Sequence, residues 1–280
     1  MSTSAPGTAR PVTPLAILAD TLGRVSERLD ESLRAGTAVD PELAAELRHA
    51  AELAGGLDAY TGRFTTPESA ALAALAARTA AEDWAERAGL GPATGLEQEM
   101  LSGHVEGQTL KMLVHATRAT RVLEVGMFTG YSALAMAEAL PEGGRLVACE
   151  IDPYVAAFAQ DCFAASPAGE SIDVRVGPAH DTLTSLADAG EQFDLVFVDA
   201  DKAGYVDYFT TLLERELLAP GALLAVDNTL MQGDPWLSGE SSPNGAAIAH
   251  FNQVVARDPR VEQVVLPVRD GITLVRQVSR

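Results

Sequence analysis

From residue 121 onward the chain alternates short β-branched runs with segments of helical spacing. RVLEVG, RLVACEID, IDVRVG, FDLVFVDA and ALLAVDN are separated by stretches such as SALAMAEAL, VAAFAQDCF and VDYFTTLLERELL. Runs this short and apolar are strands buried on both faces, and helices between them make the crossovers of a parallel sheet. The end breaks the pattern. VEQVVLPV is joined to ITLVRQV through Arg269-Asp270-Gly271, and Asp-Gly between two apolar runs signals a hairpin. The expected fold is therefore α/β, a doubly wound, Rossmann-like sheet of seven strands with the last one antiparallel.

Residues 13–118 have a different texture, Ala/Leu-rich and helical, with punctuation at Gly36, Pro41, Gly55-Gly56 and Pro67. Thr66-Pro67-Glu68 reads as the capped start of one long helix through SAALAALAARTAAEDWAERAG, and a further helix is expected over 97–118. The organisation that follows is a flexible tail over 1–12, a helical extension over 13–96 and a core over 97–280. A formal charge of −19 argues against an electrostatic grip on nucleic acid or on an anionic membrane. Cys149 and Cys162 form no CxxC and no Cys/His cluster, which suits a reducing cytoplasm and excludes a thiolate zinc site. No apolar run reaches membrane-spanning length, and the polar, Pro-interrupted start lacks a secretory core.

In such sheets ligands bind outside the carboxyl ends of the strands. The first strand delivers Glu124-x-Gly126-x-x-x-Gly130, not the G-x-G-x-x-G of dinucleotide sites. A carboxylate ahead of the turn repels a pyrophosphate but suits a cationic cofactor, and S-adenosylmethionine carries a sulfonium and an ammonium with no phosphate. The second strand ends at Glu150, placed to accept from ribose hydroxyls. The alternative for each acid is an exposed loop carboxylate. The fourth and fifth strands deliver Asp199, Asp201 and Lys202, then Asp227 and Asn228. Asp199, Asp227 and Asn228 can share one hard cation such as Mg²⁺ through oxygen and leave positions for substrate. Against this, Asp201 and Asp227 can serve simply as helix caps.

Lys202 stands out because only Lys111 and Lys202 are lysine among 20 basic residues. Lysine, unlike arginine, can lose its proton when burial and a nearby cation lower its pKa, which is what a general base requires. A solvated helix-opening lysine is the alternative, and Lys111 reads as a helix-surface residue. His104 and Glu106 are two apart and do not share a helix face, so they are not read as a metal pair. His49, His115, His180 and His250 are isolated, and no G-x-S-x-G elbow is present.

LEQEMLSGHVEGQTLKM, EVGMFTGYSALA, GPA, VDADKAGY and DNTL together resemble the metal-dependent class I O-methyltransferases, among them the catechol and caffeoyl-CoA enzymes. The likeness covers residues 97–280. Within that family, GLDAYTGRFTTPESAALAALA extends it to the O-methyltransferases of mycosporine-like amino acid biosynthesis, which convert demethyl-4-deoxygadusol to 4-deoxygadusol. The resemblance implies a methyltransferase sheet and assigns Asp199, Asp227 and Asn228 to the metal. It assigns Ser102, Glu124, Gly126, Met127, Ser132, Glu150, Ala179 and Asp201 to S-adenosylmethionine, and places Lys202 where catechol enzymes have their base. One departure is Met231-Gln232-Gly233 after DNTL, where caffeoyl-CoA enzymes continue Trp-Asn-Gly.

The expected function is thus methyl transfer from S-adenosylmethionine, with Mg²⁺ or a similar divalent cation, to one oxygen of a small enediol. The alternative within the class is a catechol or phenolic substrate. A nicotinamide-dependent dehydrogenase and a non-catalytic scaffold are the readings from other classes. Glu124 argues against the first, and the Asp/Asp/Asn/Lys set against the second. The Ala-rich helices before residue 97 are expected to cover the substrate or to form a homodimer interface.

Overall fold

The computed structural model describes residues 10–278 except 38, 88 and 94. The expectation of a flexible tail therefore falls, over residues 1–9, outside the described residues. The chain divides into two compact units at Thr65/Thr66. The first contains helices α1 (Pro14–Arg34) and α2 (Pro41–Phe64), which pack on each other and are joined by the Arg48–Asp30 ion pair at 3.0 Å. Thr13 and Asp40 cap their N-termini, and each helix has proline in its first turn. Gly55-Gly56, which reads as punctuation in the sequence, lies inside α2. Two glycines cost helix stability without blocking the hydrogen-bond ladder, so α2 runs through them.

The second unit holds the sheet. Its helices are α3 (Ala70–Ala81), α4 (Gly103–Thr117), α5 (Tyr131–Ala137), α6 (Pro153–Phe163), α7 (Ala179–Asp188), α8 (Tyr205–Glu214) and α9 (Pro243–Arg257). Its strands are β1 (Arg121–Val125), β2 (Arg145–Glu150), β3 (Ile172–Val176), β4 (Phe193–Val198), β5 (Leu218–Val226), β6 (Val261–Leu266) and β7 (Ile272–Gln277). The order is β3-β2-β1-β4-β5-β7-β6, parallel except for β7, which runs antiparallel to both β5 and β6. The terminal hairpin read from Asp270-Gly271 is present, with its second strand inserted beside β5.

Period-two alternation in the strands divides the core. Leu123, Val125, Val196 and Val198 face Leu183, Phe209 and Phe251 of α7, α8 and α9. Val122, Leu146, Leu195 and Phe197 face Leu72, Leu110 and Leu134 of α3, α4 and α5. Among the described residues no helix is long and apolar enough to cross a membrane.

Three local expectations change. The helix after Pro67 begins at Ala70, because Ser69 accepts the Leu72 amide, and it ends at Ala81. The helix expected over 97–118 begins at Gly103, whose left-handed φ of 76° separates it from a short 3-10 turn over Gln98–Met100. Lys111 is not a free surface lysine. It donates to Glu138 at 2.7 Å and its side chain is 20% exposed.

Candidate active site

The parallel ladder sets the site. The Asp199 amide donates to Val125 O and the Asp227 amide to Val198 O, both at 2.9 Å, while the Gly126 amide donates to Cys149 O at 3.1 Å. Gly126, Asp199 and Asp227 therefore stand abreast at the carboxyl ends of β1, β4 and β5, where the sheet order reverses. Gly126 has φ 89°, and a Cβ there would run into the Asp199 carbonyl, so only glycine fits.

Glu124 is fully buried, and neither of its oxygens has a hydrogen bond of good geometry. Burial pushes its carboxyl well above the usual range; Ser132 nearby works the other way, and the charges of Asp199 and Glu150 add to the rise. A carboxyl this buried is ionised only when a cation is placed beside it. Met127 and Ser132 are buried beside it, and Ser102 is 7% exposed. Ser102, Gly126, Met127, Ser132 and Asp199 line one small cleft together with Met100, Phe128 and Tyr131. A larger hollow of about 490 Å³, lined by Gln160, Phe163 and Pro167 among others, opens broadly to solvent and includes none of the expected site residues. The cleft is the better candidate because Ser102, Gly126, Met127, Ser132 and Asp199 all line it, and Ser132 is close enough to the buried Glu124 to act on its carboxyl. Glu150 accepts the Phe128 amide on Oε2 at 2.8 Å and the Asp152 amide on Oε1 at 2.9 Å. Ala179 opens α7 beyond the end of β3.

Asp201 does act as a cap, as the alternative reading holds: Oδ2 accepts the Gly204 amide at 3.0 Å, and Oδ1 accepts from Tyr208 at 2.6 Å. Asp227 does not. It is 3% exposed, and its Oδ1 is buried without a partner. Burial first, then the charge of Asp199, push its carboxyl up to about 7 against the pull of Lys202. Asn228 follows with a left-handed φ of 55°, which asparagine tolerates better than most residues.

The lowered lysine pKa expected from sequence is corrected. Lys202 donates to Asp199 Oδ1 at 2.8 Å, to the Tyr205 hydroxyl at 2.8 Å and to Ala200 O at 3.1 Å. Burial works against its charge, but Asp199 and then Tyr205 outweigh burial and hold the pKa above its ordinary value.

Three site residues escape the sequence reading. Glu106, on the first turn of α4, is 2% exposed with Oε1 unpartnered. Burial, then Asp227, push its carboxyl well above the usual range, and Arg269 opposes them from 3.6 Å. Arg269, at φ 49° in the β6–β7 turn, also donates to Leu101 O at 3.1 Å, binding that turn to the start of α4. Asp270 accepts the Gln232 amide at 2.6 Å. It thereby pins the loop after Asn228, in which Met231 and Gln232 are both left-handed. Arg269 and Asp270 carry a sequence signal, but the hairpin accounts for all of it.

The residues fit a hard cation. Asp227 has an unpartnered buried oxygen, Asp199 stands at the end of the adjoining strand with Lys202 on its Oδ1, and Asn228 follows Asp227; oxygen donors of this kind suit a hard cation. Among the described residues no group of three or more His, Cys, Asp or Glu side chains is arranged to hold a metal ion.

Residues 92–278 match the model of the O-methyltransferase family. The chain belongs to that family. Over 185 residues this O-methyltransferase is 35% identical to the probable caffeoyl-CoA O-methyltransferase 1 of Dictyostelium discoideum, covering 64% of this chain and 79% of that one. It is 40% identical over 184 residues to caffeoyl-CoA O-methyltransferase 2 of Zea mays, covering 62% and 69%. Among solved structures it resembles the S-adenosylhomocysteine-bound Podospora anserina methyltransferase PaMTH1, with a TM-score of 0.67, 28% identity, and coverage of 81% and 96%. It also resembles the Streptomyces achromogenes O-methyltransferase TomG, involved in tomaymycin synthesis and solved with S-adenosylmethionine, with a TM-score of 0.64, 29% identity, and coverage of 80% and 96%. The chain is thus an S-adenosylmethionine-dependent O-methyltransferase related to the caffeoyl-CoA and phenolic enzymes.

Proposed function

We propose that this O-methyltransferase methylates one oxygen of a vicinal enediol in a divalent-metal-dependent reaction, with demethyl-4-deoxygadusol as substrate and 4-deoxygadusol as product. The observation that carries the metal half of the reading is the buried, partnerless Oδ1 of Asp227 beside Asp199 and Asn228. A carboxylate buried there stays ionised only with a cation beside it. Asp199, Asp227 and Asn228 would hold Mg²⁺, which when bound supplies the positive charge that lowers the pKa of a substrate hydroxyl. S-adenosylmethionine supplies the methyl group from the cleft beside Glu124.

The chain's own residues do the rest. Glu124 would hold the cofactor's ammonium, with Ser102, Gly126, Met127 and Ser132 lining the cleft. Glu150 keeps lone pairs free for ribose hydroxyls, and Ala179 and Asp201 complete the cofactor side of the strand ends. Lys202, held as an ammonium between Asp199 and Tyr205, would favour the deprotonated substrate oxygen by its charge rather than remove the proton. Most of the rate gain is then expected from alignment of oxygen, methyl carbon and sulfur. The helices before residue 97 would serve as a substrate cover or as the contact of a homodimer.

The second reading is a catechol or other phenolic substrate, and identities of 35% and 40% to proteins named caffeoyl-CoA O-methyltransferases favour it. Met231-Gln232-Gly233 in place of an aromatic after DNTL speaks for the smaller, more polar substrate. Initial rates with demethyl-4-deoxygadusol, caffeic acid and catechol, each with and without chelator, decide. Preference for the cyclohexenone and loss of turnover on chelation are expected. Preference for a phenol would overturn the substrate, and turnover surviving exhaustive metal removal would overturn the metal.

A further inference from the structure

The family match begins at residue 92, yet the stretch before it, from Thr66, belongs to the same compact unit as the sheet. Its end packs on the loops after β1 and β2. Trp84 is 6% exposed, with its ring 5.0 Å from that of Phe128 and 5.8 Å from that of Phe158. Its indole N–H donates to Thr79 O at 2.9 Å, and the Thr79 hydroxyl is hydrogen-bonded to that of Thr129 at 2.9 Å. Phe128 and Thr129 both lie in the Gly126–Gly130 turn.

Phe128 has φ 51°, a conformation that a bulky residue keeps only when its surroundings hold it. Two contacts do so: the Trp84 ring, and the hydrogen bond from the Phe128 amide to Glu150 Oε2 at 2.8 Å. The same stretch reaches the β2 loop. Gly91 passes so close that a Cβ would collide with the Asp152 carboxylate, and Glu82 accepts from the Tyr154 hydroxyl at 2.5 Å.

We infer that Thr79, Glu82, Trp84 and Gly91 brace the S-adenosylmethionine side of the site from outside the family match, and that Trp84 is a positioning residue for cofactor binding. By filling the space behind Phe128 it keeps that backbone left-handed, so that the Phe128 amide fixes the Glu150 carboxylate. Trp84 takes no part in methyl transfer, so its loss is read in cofactor affinity and not in turnover at saturation.

The test is calorimetric titration of Trp84→Ala and Trp84→Phe with S-adenosylhomocysteine, alongside kcat at saturating S-adenosylmethionine. Losing an aromatic pair together with one charge-assisted hydrogen bond raises the Kd of Trp84→Ala about tenfold or more. Trp84→Phe, which retains a ring, is expected to stay within about threefold of wild type, and kcat within about twofold in both. Wild-type affinity in a folded Trp84→Ala overturns the inference, as does a fall in kcat with Kd unchanged. Should Trp84→Ala fail to fold, Trp236→Phe leaves Trp84 as the only indole, since the chain has 2 tryptophans. Its emission is expected to change with S-adenosylhomocysteine at the half-saturation found by calorimetry, and an emission that stays constant to saturation overturns the inference.

Discussion

Replacing Asp270 by asparagine should make this protein more stable and less active, because its buried charge is costly where it organises the loop. Asp270 is 5% exposed, and burial pushes its carboxyl up to about 6 from 3.8, although the Gln232 amide, Lys202 and Arg269 all oppose the rise. The acid's folded pKa lies above its unfolded one, so the folded state binds the extra proton and stability falls as pH rises through that window. The penalty is absent below about pH 4 and full above about pH 6. Two pH units correspond to about 3 kcal/mol at most, of which about 1 kcal/mol develops between about pH 5 and about pH 8. The side-chain amide of Asp270→Asn keeps an acceptor for the Gln232 amide and escapes the penalty. Urea unfolding at the two pH values should therefore show the variant's advantage over wild type growing by about 1 kcal/mol at the higher pH.

Activity should move the other way. A hydrogen bond to a charged group contributes roughly 1.5–3 kcal/mol, against about 1 kcal/mol for a neutral one. Met231 and Gln232 are both left-handed, with φ 41° and 56°, and strain of this kind costs about 1 kcal/mol or more per residue. The weaker bond no longer offsets that strain, and the loop after Asn228 loosens. A fall in kcat of about tenfold is expected, with faster amide exchange at Gln232. A variant with no pH-dependent gain in stability would refute the buried-charge argument. Full activity with unchanged exchange at Gln232 would refute the clamp.

Three further outcomes follow from the same geometry. Glu124→Gln removes a group that can become an anion against the cofactor's ammonium and should weaken S-adenosylmethionine binding by about tenfold to a hundredfold in calorimetry; equal affinity would show that Glu124 does not hold the ammonium. Lys202→Met should lower kcat by about a hundredfold while S-adenosylhomocysteine binding stays within about threefold, and an unchanged kcat would remove Lys202 from the reaction. Gly126→Ala meets both a positive φ and the Asp199 carbonyl. It should lose about 3 kcal/mol or more of unfolding free energy in urea, and a loss under about 1 kcal/mol would mean that the strand ends are not packed as described.

The sheet and the strand-end acids are legible in the sequence because each is a local matter. A buried strand is a run of apolar residues, and the residue after it is carried to the sheet edge whatever else the chain does. Gly126, Asp199 and Asp227 follow from that rule, while Glu124 lies within β1 itself. The helix boundaries at Ala70 and Gly103 are less legible, since Ser69 and the left-handed Gly103 act through single dihedral angles that periodicity does not report.

What only the tertiary structure decided is which groups share a dielectric. Glu106 and His104 do not share a helix face, yet α4 packs so that Glu106 is buried against Asp227 and Arg269. Lys202 is singled out by its rarity, but its charge state depends on Asp199 and Tyr205, and their distances are set by the packing of β4 and α8. Asp270 serves the hairpin turn through its backbone and the loop after Asn228 through its carboxylate, and sequence reports only the first. A one-dimensional pattern specifies which face a residue takes. The electrostatics of a buried site depend on distances between chain segments that only the folded packing brings together.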